Sequence, residues 1–345
     1  MPASSQSVSA LQTPALLVDA QSFDANLAAM SEALPGPRLR PHVKAHKCSE
    51  LARRQKEAGH DHFTCATIRE MEVMAGAGLG ADLLLANEVV DASRLTVLAE
   101  RGHRVTVAVD SLATVDAVVA AHISEVLIDV NVGLPRCGCD PTEAGSLADE
   151  ARRRGVTVRG VMGYEGHAVG VEDRAERTRQ VGESMAVLLA AHADVGGDIV
   201  SAGGTGSFDI NDAATEIQAG SYALMDTAYG KLELPFRPAL SVLATIISVN
   251  RAGWAVADCG LKALGMDHGN PSLAGEWAAG LVWFCSDEHV TFSPPDGMAL
   301  PKVGDRVEVL PAHIDPTVAY HAQMHVVDAA HDEVLDVWAV DMRGW

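Results

Sequence analysis

The chain has 345 residues, 48% of them hydrophobic and 21% charged, and a formal net charge of -20. That length accommodates a large core and two domains, and the acidic balance argues against nucleic acid or an anionic membrane as partner. No apolar run reaches the roughly 18 residues of a membrane span, and residues 1–10 lack the regions of a secretory leader, so a soluble, cytoplasmic protein is expected.

The first elements are a short apolar strand at 15–18 and an amphipathic run at 22–34. A third, Arg40-Pro-His-Val-Lys44-Ala-His-Lys47, reads as a strand over 39–45. Side chains alternate along a strand, so Arg40, His42, Lys44 and His46 share a face. Crowded cations lower the pKa of an amine from its usual ~10.4, the property a Schiff-base lysine needs. The same run can also serve as a solvated edge or an anion patch.

From here β-rich and helical runs alternate. Strands are expected at 39–45, 62–66, 81–87, 104–110, 125–132, 156–163, 198–203 and 222–226, with helices such as 68–77, 113–121, 141–154 and 172–195 between them. Eight such repeats make an α/β fold, a (β/α)8 TIM barrel over 20–235. An open doubly wound sheet is the alternative, but its dinucleotide fingerprint is missing. Beyond 234–238 the pattern turns to strands joined by Gly, Pro and Asn turns, at 239–250, 254–258, 282–285, 289–293, 305–310, 323–328 and 334–340. This is a second, mostly β domain over 236–345, completed by the N-terminal strand within 13–19.

Several motifs follow the expected barrel strands, where catalytic groups of such folds collect. Gly133-Leu-Pro-Arg136 offers a loop arginine, either a surface charge or a rigid fork for an anionic oxygen. Gly163-Tyr164-Glu165-Gly166-His167 brings a phenol, a carboxylate and an imidazole, and His167 is either structural or an acid/base. Ser201-Ala-Gly203-Gly204-Thr205-Gly-Ser207 is either a tight turn or an anion cradle of backbone N–H and hydroxyl groups. One strand later Gly220, Ser221 and Tyr222 stand at a similar place, and glycine loops after the seventh and eighth strands form the phosphate site usual in barrels.

Pro311-Ala-His313-Ile-Asp315-Pro-Thr317 closes the series. Residues before proline favour extended backbone, so His313 and Asp315 should project to one side, as a minimal metal pair or as a simple His–Asp hydrogen bond. The carboxylate favours manganese or magnesium, with zinc as the alternative. The six cysteines, Cys48, Cys65, Cys137, Cys139, Cys259 and Cys285, suit reduced thiols, and Cys137-Gly-Cys139 lacks the second pair of a zinc site.

Together the lysine motif, Gly163 to His167, Gly203-Gly-Thr205, Ser286-Asp-Glu-His289 and Pro311 to Thr317 resemble D-threonine aldolase and its relative D-serine dehydratase, pyridoxal-phosphate enzymes of the alanine racemase-like fold type. The resemblance runs from Thr13 to the end. It implies that Lys44, rather than Lys47, holds pyridoxal 5'-phosphate covalently. By the same resemblance Arg136 faces its phenolate side, Tyr164 lies near its ring nitrogen, and Gly203, Gly204, Thr205 and Ser221 surround its phosphate. His313 and Asp315 would bind a divalent cation. It further implies a homodimer acting on a D-amino acid.

The expected reaction is retro-aldol cleavage of a β-hydroxy-D-amino acid, D-threonine giving glycine and acetaldehyde, with His167, His42 or water as the base. β-Elimination by a D-serine or 3-hydroxy-D-aspartate dehydratase uses the same constellation. A racemase needs no metal. A non-catalytic pyridoxal-phosphate-binding regulator leaves the His313 and Asp315 pair without a purpose.

Overall fold

The computed structural model of the protein describes residues 6–345. It divides into two compact units, one made of Met30–Lys44, Leu51–Gly220 and Met342–Trp345, the other of residues up to Ala29, Ala45–Glu50 and Ser221–Asp341.

The first unit is a parallel barrel. Strands His62–Cys65, Asp82–Leu85, Arg104–Val109, Glu125–Asp129, Thr157–Met162, Ile199–Ala202 and Glu216–Ile217 pair in sequence order. The segment around residues 39–42 joins the two ends: the Arg40 N–H donates to the Ile217 carbonyl and the Thr64 N–H to the Pro41 carbonyl, each at 2.9 Å. Runs such as Leu83–Leu85, Val107–Val109 and Val126–Ile128 are buried throughout, as expected where helices cover a parallel sheet. The helices begin where the sequence signals them. Thr67 and Glu70 form a capping box on Ile68–Gly76, and the Asp173 side chain caps Arg174–Val195 by accepting from the Glu176 N–H.

Charged side chains from the starts of the strands fill the barrel floor. Arg40 donates from Nε to Glu216 at 2.8 Å and from Nη1 to Asp82 at 2.9 Å. Arg159 reaches Asp82 at 3.1 Å, and Arg104 reaches Glu125 at 2.8 Å. Above this layer lie Leu84, Ala108, Leu127 and Met162.

Two expectations for this unit need correction. Arg40 does not share a face with Lys44, because the chain leaves the extended conformation and forms a 3-10 turn over Val43–Ala45. Arg40 therefore joins the floor while Lys44 stands past the strand end. The eighth strand is Glu216–Ile217, not 222–226. In that stretch Ser221–Ala223 forms a 3-10 turn, and Met225 has φ +54°, a left-handed backbone that a strand does not contain.

The second unit is built on a ten-stranded sheet. Ala15–Asp19 lies inside it, antiparallel to Leu240–Asn250 and parallel to Gln323–Val327. Its core includes Val8, Leu11, Ala15, Leu17, Leu243 and Val327. His313 and Asp315 depart from the extended geometry expected of them. Asp315 belongs to the Ile314–Tyr320 helix and His313 is its N-cap residue, so the two do not alternate along an extended strand. Pro316 falls within the first turn, where the missing N–H costs no helical bond. Among the described residues, no helix is long and apolar enough to cross a membrane.

Candidate functional site

In the barrel unit, Lys44, Arg136, Tyr164, Gly203, Gly204, Thr205 and Gly220 all follow the C-terminal ends of strands, the end at which barrel enzymes place their chemistry. Tyr164 is the centre of the group. Lys44 Nζ lies 5.9 Å from its ring centroid and the Arg136 guanidinium carbon 5.4 Å, both within the range of cation–π attraction. A Cβ on Gly204 would sit 3.5 Å from Tyr164 Cε2, so the glycine loop passes against the same ring. The Lys44 N–H donates to His42 Nδ1 at 3.4 Å.

The loop is held from inside by Glu165, which is 0% exposed. Its carboxylate accepts from the Gly203 N–H at 3.1 Å, Ser207 Oγ at 2.9 Å and Asn211 Nδ2 at 3.2 Å, and Ser207 Oγ accepts from the Gly204 N–H at 3.1 Å. The amides of Gly203 and Gly204 are thus engaged within the loop, so they shape it. Gly203 has φ +81° and a Cβ there would fall 2.9 Å from Ile217 Cδ1, which leaves room only for glycine.

The Gly163 to His167 motif splits three ways. Tyr164 joins Lys44, Glu165 turns inward, and His167 is exposed, resting on Gly133 with its Nε2 3.4 Å from Ser184 Oγ. Asp129, at the end of its strand, is held well above the usual carboxylate range by burial and by neighbouring Glu88. Burial pushes the Cys139 thiol up to about 12, so this free thiol is a poor nucleophile.

In the second unit, Ser221 and Tyr222 open the 3-10 turn. Tyr222 is buried, its ring centroid 5.7 Å from that of Phe236. The other functional group gathers at the Ile314–Tyr320 helix. His313 Nδ1 is 2.7 Å from Asp267 Oδ2, its Nε2 is 3.8 Å from Asp315 Oδ1, and its ring stacks on His268 at 4.1 Å with planes 3° apart. Asp315 Oδ1 is buried without a hydrogen-bond partner. At 3.8 Å it is too far from Nε2 for a hydrogen bond, yet two atoms each about 2.1 Å from one ion sit roughly 3 to 4 Å apart. The orphaned oxygen and the facing imidazole therefore fit a divalent cation. Asp267, His268 and His313 also offer ligand atoms all within 4.8 Å of one another.

This corner is tied down by groups that sequence reasoning missed. Thr317 Oγ1 donates to the His313 carbonyl at 2.7 Å and accepts from the Gly265 N–H at 2.8 Å. Asp226 Oδ2 accepts from the Ile314 N–H at 3.1 Å, and burial raises its carboxyl pKa. For Asp267, burial pulls upward, but the His313 hydrogen bond and charge outweigh it and the carboxyl is lowered. The only sequence signal for Asp267 and His268 is a polar pair before Gly269 in a turn.

The family model for the alanine racemase N-terminal domain matches residues 18–228, and that for a serine dehydratase domain matches 239–327. The D-threonine aldolase of an Arthrobacter species is 36% identical over 97% of this chain and 93% of its own length. The 3-hydroxy-D-aspartate aldolase of Paracoccus denitrificans is 32% identical over the same shares. The D-threo-3-hydroxyaspartate dehydratase of a Delftia species is 28% identical over 97% of this chain and 98% of its own. Among solved structures, D-threonine aldolase from Filomicrobium marinum superposes with a TM-score of 0.91 at 32% identity, covering 100% of this chain and 99% of that one.

Proposed function

The chain belongs to the alanine racemase-like family that contains D-threonine aldolases, 3-hydroxy-D-aspartate aldolases and a related dehydratase, and on that premise we propose that it is a pyridoxal-phosphate- and divalent-metal-dependent aldolase cleaving β-hydroxy-D-amino acids. The observation that carries this reading is the unpartnered, buried Asp315 oxygen facing His313 Nε2 at 3.8 Å. A racemase or a passive cofactor carrier has no use for such a pair.

The barrel residues divide the work of holding the cofactor. Lys44 supplies the primary amine for covalent attachment, and an alanine racemase of the same fold holds pyridoxal phosphate covalently. Arg136 and Tyr164, 5.4 Å apart, would orient the ring, the guanidinium offering its donors to the phenolate side. The loop shaped by Gly203 and Gly204, with Thr205, Gly220, Ser221 and Tyr222, would supply the phosphate's surroundings. When bound, pyridoxal phosphate provides the electron sink for the breaking Cα–Cβ bond.

His313 and Asp315 would hold the cation, and the carboxylate inclines the pair toward manganese or magnesium. A bound cation lowers the pKa of a coordinated hydroxyl. Removal of the β-hydroxyl proton is assigned to His167. Its Nε2 contact with Ser184 would fix the ring. His167→Asn then lowers kcat with little change in KM, and an unchanged kcat returns the role to water or His42. For D-threonine the products balance as glycine plus acetaldehyde, with no oxidant or second substrate.

A dehydratase reading is favoured by the Delftia relative. One experiment separates the two: incubation of the loaded protein with D-threonine, D-serine and 3-hydroxy-D-aspartate, with products resolved. Glycine with an aldehyde supports cleavage. Keto acid with ammonia replaces it by elimination, and neither product from any substrate refutes both.

A further inference from the structure

The two nitrogens of His313 face different carboxylates. Nδ1 is 2.7 Å from Asp267 Oδ2, hydrogen-bond length, whereas Nε2 is 3.8 Å from the unpartnered Asp315 Oδ1. A carboxylate on one imidazole nitrogen fixes the tautomer: with the proton on Nδ1, the lone pair is left on Nε2. The ring plane is also set, because His268 stacks on it at 4.1 Å and 3°.

Backbone contacts deliver Asp267 to this edge. Gly265 pairs with His313 across an antiparallel bridge, and its N–H is held by Thr317 Oγ1 at 2.8 Å. A Cβ on Gly265 would fall 2.3 Å from Pro316 Cγ, so only glycine allows the 265–268 segment to run this close. Asp267 follows two residues later.

We propose that Asp267 is the positioning residue of the cation site, gripping His313 Nδ1 so that Nε2 and Asp315 Oδ1 are presented as ligands, and that His268 braces the ring without ligating. The proposal rests on the reading that His313 and Asp315 hold a divalent cation. The rival geometry places the ion on the opposite edge, among Asp267, His268 and His313 Nδ1, whose atoms also lie within reach of one ion. That arrangement leaves the buried Asp315 oxygen unexplained.

The test uses the full chain loaded with Mn2+. Affinity is read by titration, and directly bound imidazole nitrogens are counted by electron spin echo spectroscopy, so neither readout needs turnover. The wild type should show one nitrogen. Asp267→Ala should weaken Mn2+ binding roughly 10- to 100-fold, the usual cost of losing such a partner, while that nitrogen remains. Asp267→Asn should recover most of the loss, because its amide oxygen still accepts from Nδ1–H. His268→Phe keeps a ring to stack and should leave affinity within about twofold with one nitrogen still counted.

Two nitrogens in the wild type falling to one in His268→Phe would overturn the proposal, as would wild-type affinity in Asp267→Ala or no recovery in Asp267→Asn. If Asp315→Ala or His313→Ala binds Mn2+ as the wild type does, the cation reading itself fails. That outcome is distinct, because it does not depend on residue 267 or 268.

Discussion

Glu165→Gln tests the geometry of the glycine loop directly. One buried carboxylate accepts from three donors, Gly203 N–H, Ser207 Oγ and Asn211 Nδ2, at 2.9 to 3.2 Å. A glutamine has the same shape but one acceptor oxygen in place of two. In its best orientation the oxygen faces Gly203 and the NH2 donates to the Ser207 hydroxyl, which leaves Asn211 Nδ2 without its acceptor. The loss is one charge-assisted bond plus one unsatisfied buried donor, about 2 to 4 kcal/mol. Glu165→Ala strands all three donors and adds a cavity, so it should cost more. Urea unfolding followed by circular dichroism should show the order wild type, Gln, Ala, and pyridoxal-phosphate affinity should fall in the same order as the loop loses its shape. A glutamine variant within about 0.5 kcal/mol of the wild type, binding the cofactor equally well, would refute the assignment of Glu165 as the anchor.

Further perturbations test other parts of the structure. Arg40→Met removes the cation between Glu216 and Asp82, whose side chains are 7% and 18% exposed. It should destabilise by about 3 to 5 kcal/mol, and adding Glu216→Gln should restore part of that, since Asp82 keeps Arg159 at 3.1 Å; equal urea midpoints for the single and double variants would contradict this. His331 has its pKa raised, chiefly by its hydrogen bond to Glu308, with burial opposing and Asp19 assisting. Its contribution to stability is therefore complete below the ordinary imidazole value of about 6.5 and is lost as pH rises through the higher folded value. The stability gap between wild type and His331→Gln should narrow from about pH 6 upward; a gap that widens would reverse the sign. Chelation should stop turnover while the visible absorbance of bound pyridoxal phosphate persists, and full turnover after chelation would remove the metal from the reaction.

Much of the barrel was legible because buried parallel strands leave apolar runs, such as Val105 to Val109 and Val126 to Ile128, that stand out between capped helices. The last strand was not. Glu216–Ile217 is two residues long, and Glu216 points its charge at Arg40, which no hydrophobic pattern reveals. The buried Tyr222 and Leu224 nearby carry the apolar signal a strand would, but they pack around a turn. The row from Arg40 to His46 could be read as basic but not as bent, because neither the 3-10 turn at Val43–Ala45 nor the carboxylates that Arg40 meets at Glu216 and Asp82 leave a mark in the local pattern. His313 and Asp315 stand out in the sequence by their spacing, but the helix start that sets their side chains 3.8 Å apart does not. Asp267 was not, because only the folded chain brings it against His313 across 46 residues. Glu165 stood in plain view between Tyr164 and His167, yet its inward direction depends on Ser207 and Asn211, more than 40 residues on.

The most direct measurement of the central claim is borohydride reduction of the pyridoxal-phosphate-treated protein, followed by peptide mass mapping. The covalent mass should appear on Lys44, leave Lys47 unmodified and vanish in Lys44→Ala. Attachment at Lys47, or protein that takes up no covalent cofactor at all, would contradict it.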